Sequence, residues 1–179
     1  MFHRFLLKGI DLLGFLKSFW FYIVGLVLIW VLVYIQRSYE FVRVPEGLTS
    51  MAPALEANKF YRFTQLGKVQ ELGYNDIVFI RFNRSSRTES YFSRVVGLEG
   101  DVIALKEGRL IRNGVQVDEP YLSEPASSSA LAEWKKVTMF PISVPKGCVF
   151  LLNDERTSPE DSRKLGPIDV RMVCAYMRK

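Results

Sequence analysis

GYNDIVFIRF, residues 73–82, opens on a turn and runs into a strand. Gly73, Asn75 and Asp76 favour a tight turn, and the six residues after it are apolar apart from Arg81, a run of strand length with no helical stripe. The same alternation extends in both directions. YEFVRV (39–44) alternates apolar with polar, and VIALKEG (102–108) and RLIRNGVQV (109–117) surround turn signals at Glu-Gly and Asn-Gly. CVFLLN (148–153) and VRMVCAYMR (170–178) are two further strand-like runs. Strands this short, separated by Gly, Pro, Asn and Asp, predict an all-β antiparallel domain of sandwich or barrel type. LSEPASSSALAEWK (122–135) departs from the pattern and reads as a loop with a short helical turn.

Ahead of these strands stands FWFYIVGLVLIWVLVYI, residues 19–35, inside an interval from Lys17 to Arg37 that contains no charged side chain. At a rise of about 1.5 Å per residue this is long enough to cross a hydrocarbon layer of about 30 Å. We read one transmembrane helix over 19–36, with Phe19, Trp20, Tyr22 and Tyr34 suited to the headgroup interfaces. A cleaved signal would have a shorter apolar core and a small-x-small site, whereas QRSYEF follows here. Residues 1–18 place Arg4, Lys8 and Asp11 among leucines and phenylalanines, and read either as a cytoplasmic segment lying flat on the membrane or as the front of the anchor. Arg4, Lys8 and Lys17 outweigh Arg37 and Arg43, which predicts an N-terminus inside and a domain, 37–179, outside the cytoplasm.

The net charge of +5 is dispersed among acids, which argues against a nucleic-acid partner. Two cysteines, Cys148 and Cys174, with a single histidine, His3, leave no zinc site of the usual kind, and no metal or cofactor is expected. The two cysteines read equally as a disulfide or as buried thiols.

Ser50 lies in TSMAPAL (49–55), where Pro45, Gly47 and Pro53 force the chain to turn. Such a turn can aim a hydroxyl and nearby N–H groups in fixed directions, as acyl transfer requires, but it is equally what an ordinary turn serine has. Two further stretches bear on the choice. Ser50-Met51-Ala52-Pro53-Ala54-Leu55 resembles the SMxPTL box of bacterial type I signal peptidases. Residues 91–101, YFSRVVGLEGD, resemble their YxKRVxGxPGD box, and residues 150–163, FLLNDERTSPEDSR, resemble FxLGDNRxxSxDSR. The resemblance implies a signal-peptidase-like antiparallel β domain behind an N-terminal anchor in the bacterial cytoplasmic membrane. It implies a serine protease that hydrolyses exported preproteins at their signal peptides, with Ser50 as nucleophile in a turn held by Met51 and Pro53. Arg94, Asp154, Arg156, Asp161, Ser162 and Arg163 would buttress the site through charge-assisted hydrogen bonds. Signal peptides and membrane lipid are the partners it implies, with secretion or pilus machinery as a further one.

Position 93 departs from the family pattern. Its box carries a lysine there, which acts as general base when burial leaves the amine neutral; this chain has Ser93. A serine hydroxyl is no base near neutral pH, and a positioned base contributes about 10² to 10⁴ in rate. Asn153 stands for glycine, Glu99 for proline and Ala54 for threonine, and Leu48 supplies no oxyanion donor. Artificial replacement of the lysine, natural loss, recruitment of another lysine and supply of a base by a partner all account for Ser93. Lys59, Lys68 and Lys106 are the nearby lysines, each in a polar, turn-rich context that favours a solvated amine. A peptidase and a catalytically inactive homologue that binds peptides or assists pilus or secretion assembly both remain open. From sequence alone, Ser93→Lys is expected to suffice for cleavage. WKKVTMF (134–140) reads either as an apolar rim at the bilayer or as core.

Overall fold

The computed structural model describes residues 12–67, 72–84, 87–123, 125 and 127–178. It separates into a helical unit ending at Ser38 and a domain beginning at Tyr39. Helix α1, Leu12–Ser38, contains a stretch, Phe19–Ser38, whose mean hydropathy of 2.2 and 20-residue length suit a membrane crossing, and none of it is buried. The segment read as amphipathic lies outside the described residues as far as position 11; from Leu12 the chain is helical.

The domain is built from antiparallel strands, as the short apolar runs predict. They are β1 (Tyr39–Arg43), β2 (Phe60–Gln65), β3 (Ile77–Arg84), β4 (Arg87–Gly97), β5 (Val102–Lys106), β6 (Arg109–Arg112), β7 (Val115–Gln116), β8 (Met139–Ser143), β9 (Cys148–Leu152), β10 (Ile168–Asp169) and β11 (Val173–Met177). Seven form a sheet in the order β1-β2-β11-β3-β4-β9-β10, and four a second sheet in the order β7-β6-β5-β8. The two turn signals act as read: Glu107-Gly108 joins β5 to β6 and Asn113-Gly114 joins β6 to β7, all four residues having positive φ. Such a backbone matches the right-handed twist of the strands it joins.

The period of two along β3 sorts its side chains between two cores. Ile77 and Phe79 face a cluster with Met51, Leu55, Phe63 and Phe92, while Val78 and Ile80 face Val95, Leu151 and Val173. Strand β4 is buried continuously from Phe92 to Gly97, and its Val96 joins a third cluster with Ile103, Leu105 and Phe150 beneath the second sheet. β4 is therefore the hub: one strand supplies all three cores and carries the stretch that includes Ser93. Met51 and Leu55, both at 1% exposure or less, pin the turn of Ser50 into the phenylalanine cluster.

The helical turn expected after residue 122 is α2, Ser128–Lys135, capped by the Ser127 hydroxyl, which accepts from the Ala130 N–H. Trp134 and Phe140 divide the two readings of their segment, and Trp134 belongs to the core. It is buried, stacks against the Gly108 turn where a Cβ would come within 2.9 Å of its ring, and lies 4.9 Å from the Arg109 guanidinium. It is core, not a membrane rim, whereas Phe140 is 87% exposed. Cys148 and Cys174 are free thiols, each half-buried.

Trp134→Ala is expected to lower stability by about 3–5 kcal/mol. Phe140→Ser is expected to change it by no more than about 0.5 kcal/mol. Thermal unfolding of the two variants measures both, and equal midpoints would return Trp134 to the surface.

Candidate active site

Ser50 lies in a bend fixed from two sides. Within the turn the Ala52 N–H donates to Thr49 O at 3.0 Å and the Leu55 N–H to Met51 O at 2.9 Å; from outside, the Glu155 N–H donates to Ser50 O at 2.9 Å. The third box thus grips the first through the main chain. Ser50 lines a cleft of about 250 Å³ with Leu48, Thr49, Ser90, Tyr91, Phe92, Ser158 and Glu160. A larger hollow of about 510 Å³, walled by Arg109, Trp134 and Lys135, contains none of the box residues. Pro53 faces a separate depression shared with Arg94 and Tyr121.

Strand β9 meets β4 only at Arg94, Val95 and Gly97. Ser90–Phe92 therefore have β3 on one side and the Ser50 cleft on the other. An extended peptide laid in the cleft would run beside β4.

Ser93 is absent from the cleft wall. It is 2% exposed, and its hydroxyl donates to Asn153 Oδ1 at 2.8 Å. Asn153 is 1% exposed; its amide nitrogen reaches Ser158 O at 3.4 Å, Glu160 O at 3.3 Å and Ser158 Oγ at 3.5 Å. Carbonyl oxygens can only accept, which fixes the orientation of the carboxamide and makes Ser93 the donor. The serine at position 93 is thus a hydrogen-bond donor to an amide oxygen, which is no base.

The buttress residues find their partners across the fold. Asp154 and Arg156 do not pair with each other. Asp154 receives a two-pronged contact from Arg94, Nε to Oδ1 at 2.8 Å and Nη2 to Oδ2 at 2.6 Å, with both side chains buried. Arg156 pairs instead with Glu119, both fully buried, and Glu119 also accepts from the Tyr121 hydroxyl at 2.7 Å and the Leu110 N–H at 3.1 Å. Tyr121 closes the chain of contacts, since the Arg94 guanidinium lies 3.9 Å above its ring. Burial, then the adjacent Glu119 carboxylate, push the Tyr121 phenol well above its ordinary pKa, so it remains a donor. Asp161 caps α3 (Ser162–Leu165), holds the Arg163 guanidinium, and accepts from the Asn153 N–H at 2.9 Å; the Ser162 hydroxyl accepts from the Leu151 N–H at 2.9 Å. Arg163 also donates to the carbonyls of Arg156 and Ser158.

Glu119 escaped the sequence reading. Charge offered no signal: the boxes hold six acids, Glu99, Asp101, Asp154, Glu155, Glu160 and Asp161, against Arg94, Arg156 and Arg163, so the partner of Arg156 is set by the fold. Asn153 has no left-handed backbone, and its consequence lies in its side chain. Glu99, in the place of proline, accepts from the Gly147 N–H at 2.9 Å and ties two turns together. Among the alternative lysines, Lys59 is exposed and paired with Glu56 at 2.7 Å; that hydrogen bond, then the attraction of the charge, raises its pKa, the wrong direction for a base. Lys106 is exposed on the rim of the distant hollow, and Lys68 lies outside the described residues.

Glu119→Ala leaves the Arg156 guanidinium buried without its counter-charge and is expected to cost about 3–5 kcal/mol of stability. Lys164→Ala removes an exposed pair with Glu160 and should cost less than about 1 kcal/mol. Denaturant titration of both variants compares them; a Glu119 variant as stable as the Lys164 variant would show that the buried pair contributes no net stabilisation.

Comparison with known proteins agrees with this architecture. A family model for signal peptidase, peptidase S26, matches residues 18–178. Signal peptidase I of Bacillus licheniformis is 35% identical over 129 residues, spanning 70% of this chain and 68% of its own length. Signal peptidase I of Bacillus caldolyticus is 34% identical over 138 residues, spanning 73% and 72%. The crystal structure of a signal peptidase I from Enterococcus faecalis superposes with a TM-score of 0.50 at 22% identity, over 62% of this chain and all of that one, and so bears on the fold alone. With the three boxes brought together in one antiparallel domain and two relatives above 30% identity, this chain belongs to the signal peptidase family, peptidase S26.

Proposed function

We propose that the protein is a membrane-anchored serine endopeptidase that removes signal peptides from exported preproteins, with Ser50 as the attacking hydroxyl. The observation that carries this reading is the cleft in which Ser50, held by the Glu155 N–H, lies opposite Ser90–Phe92 of β4. A peptide paired along that strand gains affinity from its main chain, while alternate side chains face the protein and select for small residues. In the reaction Ser50 Oγ bonds to the scissile carbonyl carbon and yields its proton, the C–N bond breaks as the leaving amine gains a proton, and water then hydrolyses the ester. Asp154 with Arg94, Arg156 with Glu119, and Asp161, Ser162 and Arg163 hold the wall in place. Membrane lipid surrounds α1, and the bias of Arg4, Lys8 and Lys17 supports an N-terminus inside, with the domain beyond the bacterial cytoplasmic membrane.

The Ser93–Asn153 hydrogen bond favours a second reading: the cleft binds a peptide without turnover, as a homologue serving secretion or pilus assembly would. Without a positioned base the proton of Ser50 must leave to water, and the rate falls by about 10² to 10⁴.

Full-length protein in detergent, incubated with a preprotein bearing alanine before the scissile bond, separates the two. Slow cleavage abolished by Ser50→Ala is expected. Saturable binding of the signal peptide with no Ser50-dependent cleavage would establish the second reading, and binding that is indifferent to large residues at that position would reject the groove.

A further inference from the structure

We infer that Ser93 and Asn153 are one exchangeable unit, in which the Asn153 carboxamide occupies the space that an amine borne by residue 93 would need. The inference rests on the reading of the Ser50 cleft as a signal-peptidase site, and it alters what the sequence alone predicts, because a change at position 93 is then insufficient.

The geometry is local and complete. Ser93 Oγ lies 2.8 Å from Asn153 Oδ1, a hydrogen-bond distance. A lysine at position 93 in the rotamer that Ser93 holds would put its Cγ where Oγ now is. Carbon and oxygen without a shared proton keep about 3.3 Å or more apart, so the chain would run into the carboxamide before reaching the cleft. The carboxamide cannot easily yield. Both of its polar ends are engaged, one by Ser93 and the other by the carbonyls of Ser158 and Glu160, and its backbone N–H is held by Asp161.

The exchange nearly conserves bulk. Serine in place of lysine removes most of a long side chain at 93, and asparagine in place of glycine adds one at 153; buried sites tolerate changes that keep total volume. The polar bonding is also conserved in outline. The acceptors that Asn153 Nδ2 uses, Ser158 O, Ser158 Oγ and Glu160 O, lie on residues that wall the cleft beside Ser50. With Asn153 reduced to glycine, a lysine amine reaching from 93 would inherit those acceptors and stand at that wall. Asn153 is thus a positioning residue: in the present chain it holds the Ser158–Glu160 wall by the bonds an amine could make.

Four full-length proteins in detergent test this: the unaltered chain, Ser93→Lys, Asn153→Gly and the double variant. Each single change should lower the thermal midpoint by about 5 °C, from crowding in one case and a cavity with an orphaned hydroxyl in the other. The double variant should recover most of the loss. Cleavage of a fluorogenic signal peptide should rise by about 10² in the double variant alone, increase with pH as the amine loses its proton, and vanish when Ser50→Ala is added. If Ser93→Lys does not accumulate folded while the double variant does, the coupling appears in its extreme form. Additive losses of midpoint, failure of both Lys variants to fold, or a gain from Ser93→Lys equal to that of the double variant would each overturn the inference. Non-additive midpoints with no cleavage in the double variant would leave the pair standing and remove the peptidase reading instead.

Discussion

The two-pronged contact between Arg94 and Asp154 is the constraint on which the site depends. A guanidinium meeting a carboxylate through two parallel bonds fixes direction as well as distance, and at a buried position neither group can relax into water. Arg94 belongs to β4 and Asp154 follows β9, so the pair sets where the chain leaves the sheet and enters the third box. Its neighbours in sequence inherit that placement. Ser93 finds Asn153, the residue before Asp154, and Glu155, the residue after it, reaches the Ser50 carbonyl. The Ser50 turn, Ser93 and the wall between them are thus indexed to one ion pair. The Asn75 carbonyl, which accepts from Arg94 Nη1 at 3.0 Å, and the Tyr121 ring, stacked on the same guanidinium, complete its surroundings.

Much of the domain could be read from period and punctuation. Residues 77–82 alternate between two cores, and the Glu-Gly and Asn-Gly pairs turn where positive φ is required. Four strands, β2, β4, β8 and β10, lie outside the runs that read as strand, two of them for evident physical reasons. FYRFTQ mixes charge with aromatic residues because β2 has one face on the phenylalanine cluster and the other toward solvent, and MFPIS carries a proline that weakens any strand reading. Trp134 could be read either way because aromatic bulk beside lysines suits both a membrane surface and a core. What decided it was Gly108, distant in sequence, whose missing side chain leaves room for the indole. Burial of that kind is a tertiary fact that no local window contains.

The site shows the same division. The three boxes announce themselves, and the turn around Ser50 with them, but the partners of their charged residues do not. Asp154 and Arg156 are two apart and invite pairing, yet β4 delivers Arg94 to the first and the segment after β7 delivers Glu119 to the second. Position 93 is the sharpest case. Read along the chain, Ser93 is a departure at the position of the family's lysine and Asn153 a minor irregularity sixty residues later; in the fold they are a single hydrogen-bonded object. Two departures from a pattern that touch each other carry a different meaning from two that do not, and only contact distinguishes them.

The order of strands has a consequence for how the molecule comes into being. β2 and β3 follow each other in sequence but are separated in the sheet by β11, whose Ala175 pairs with Gln65 on one side and Phe79 on the other. A chain emerging from its N-terminus can form the β3–β4 and β5–β6 hairpins as soon as they are made, since their contacts are local. The β1–β2 ribbon has no such neighbour until residues 173–177 arrive. Ala175 also closes the cluster that seats Met51 and Leu55, so the bend bearing Ser50 lacks its floor until nearly the last strand is in place. Helix α1 precedes the whole domain in the chain, yet the bend bearing Ser50 is among the last parts of that domain to be oriented.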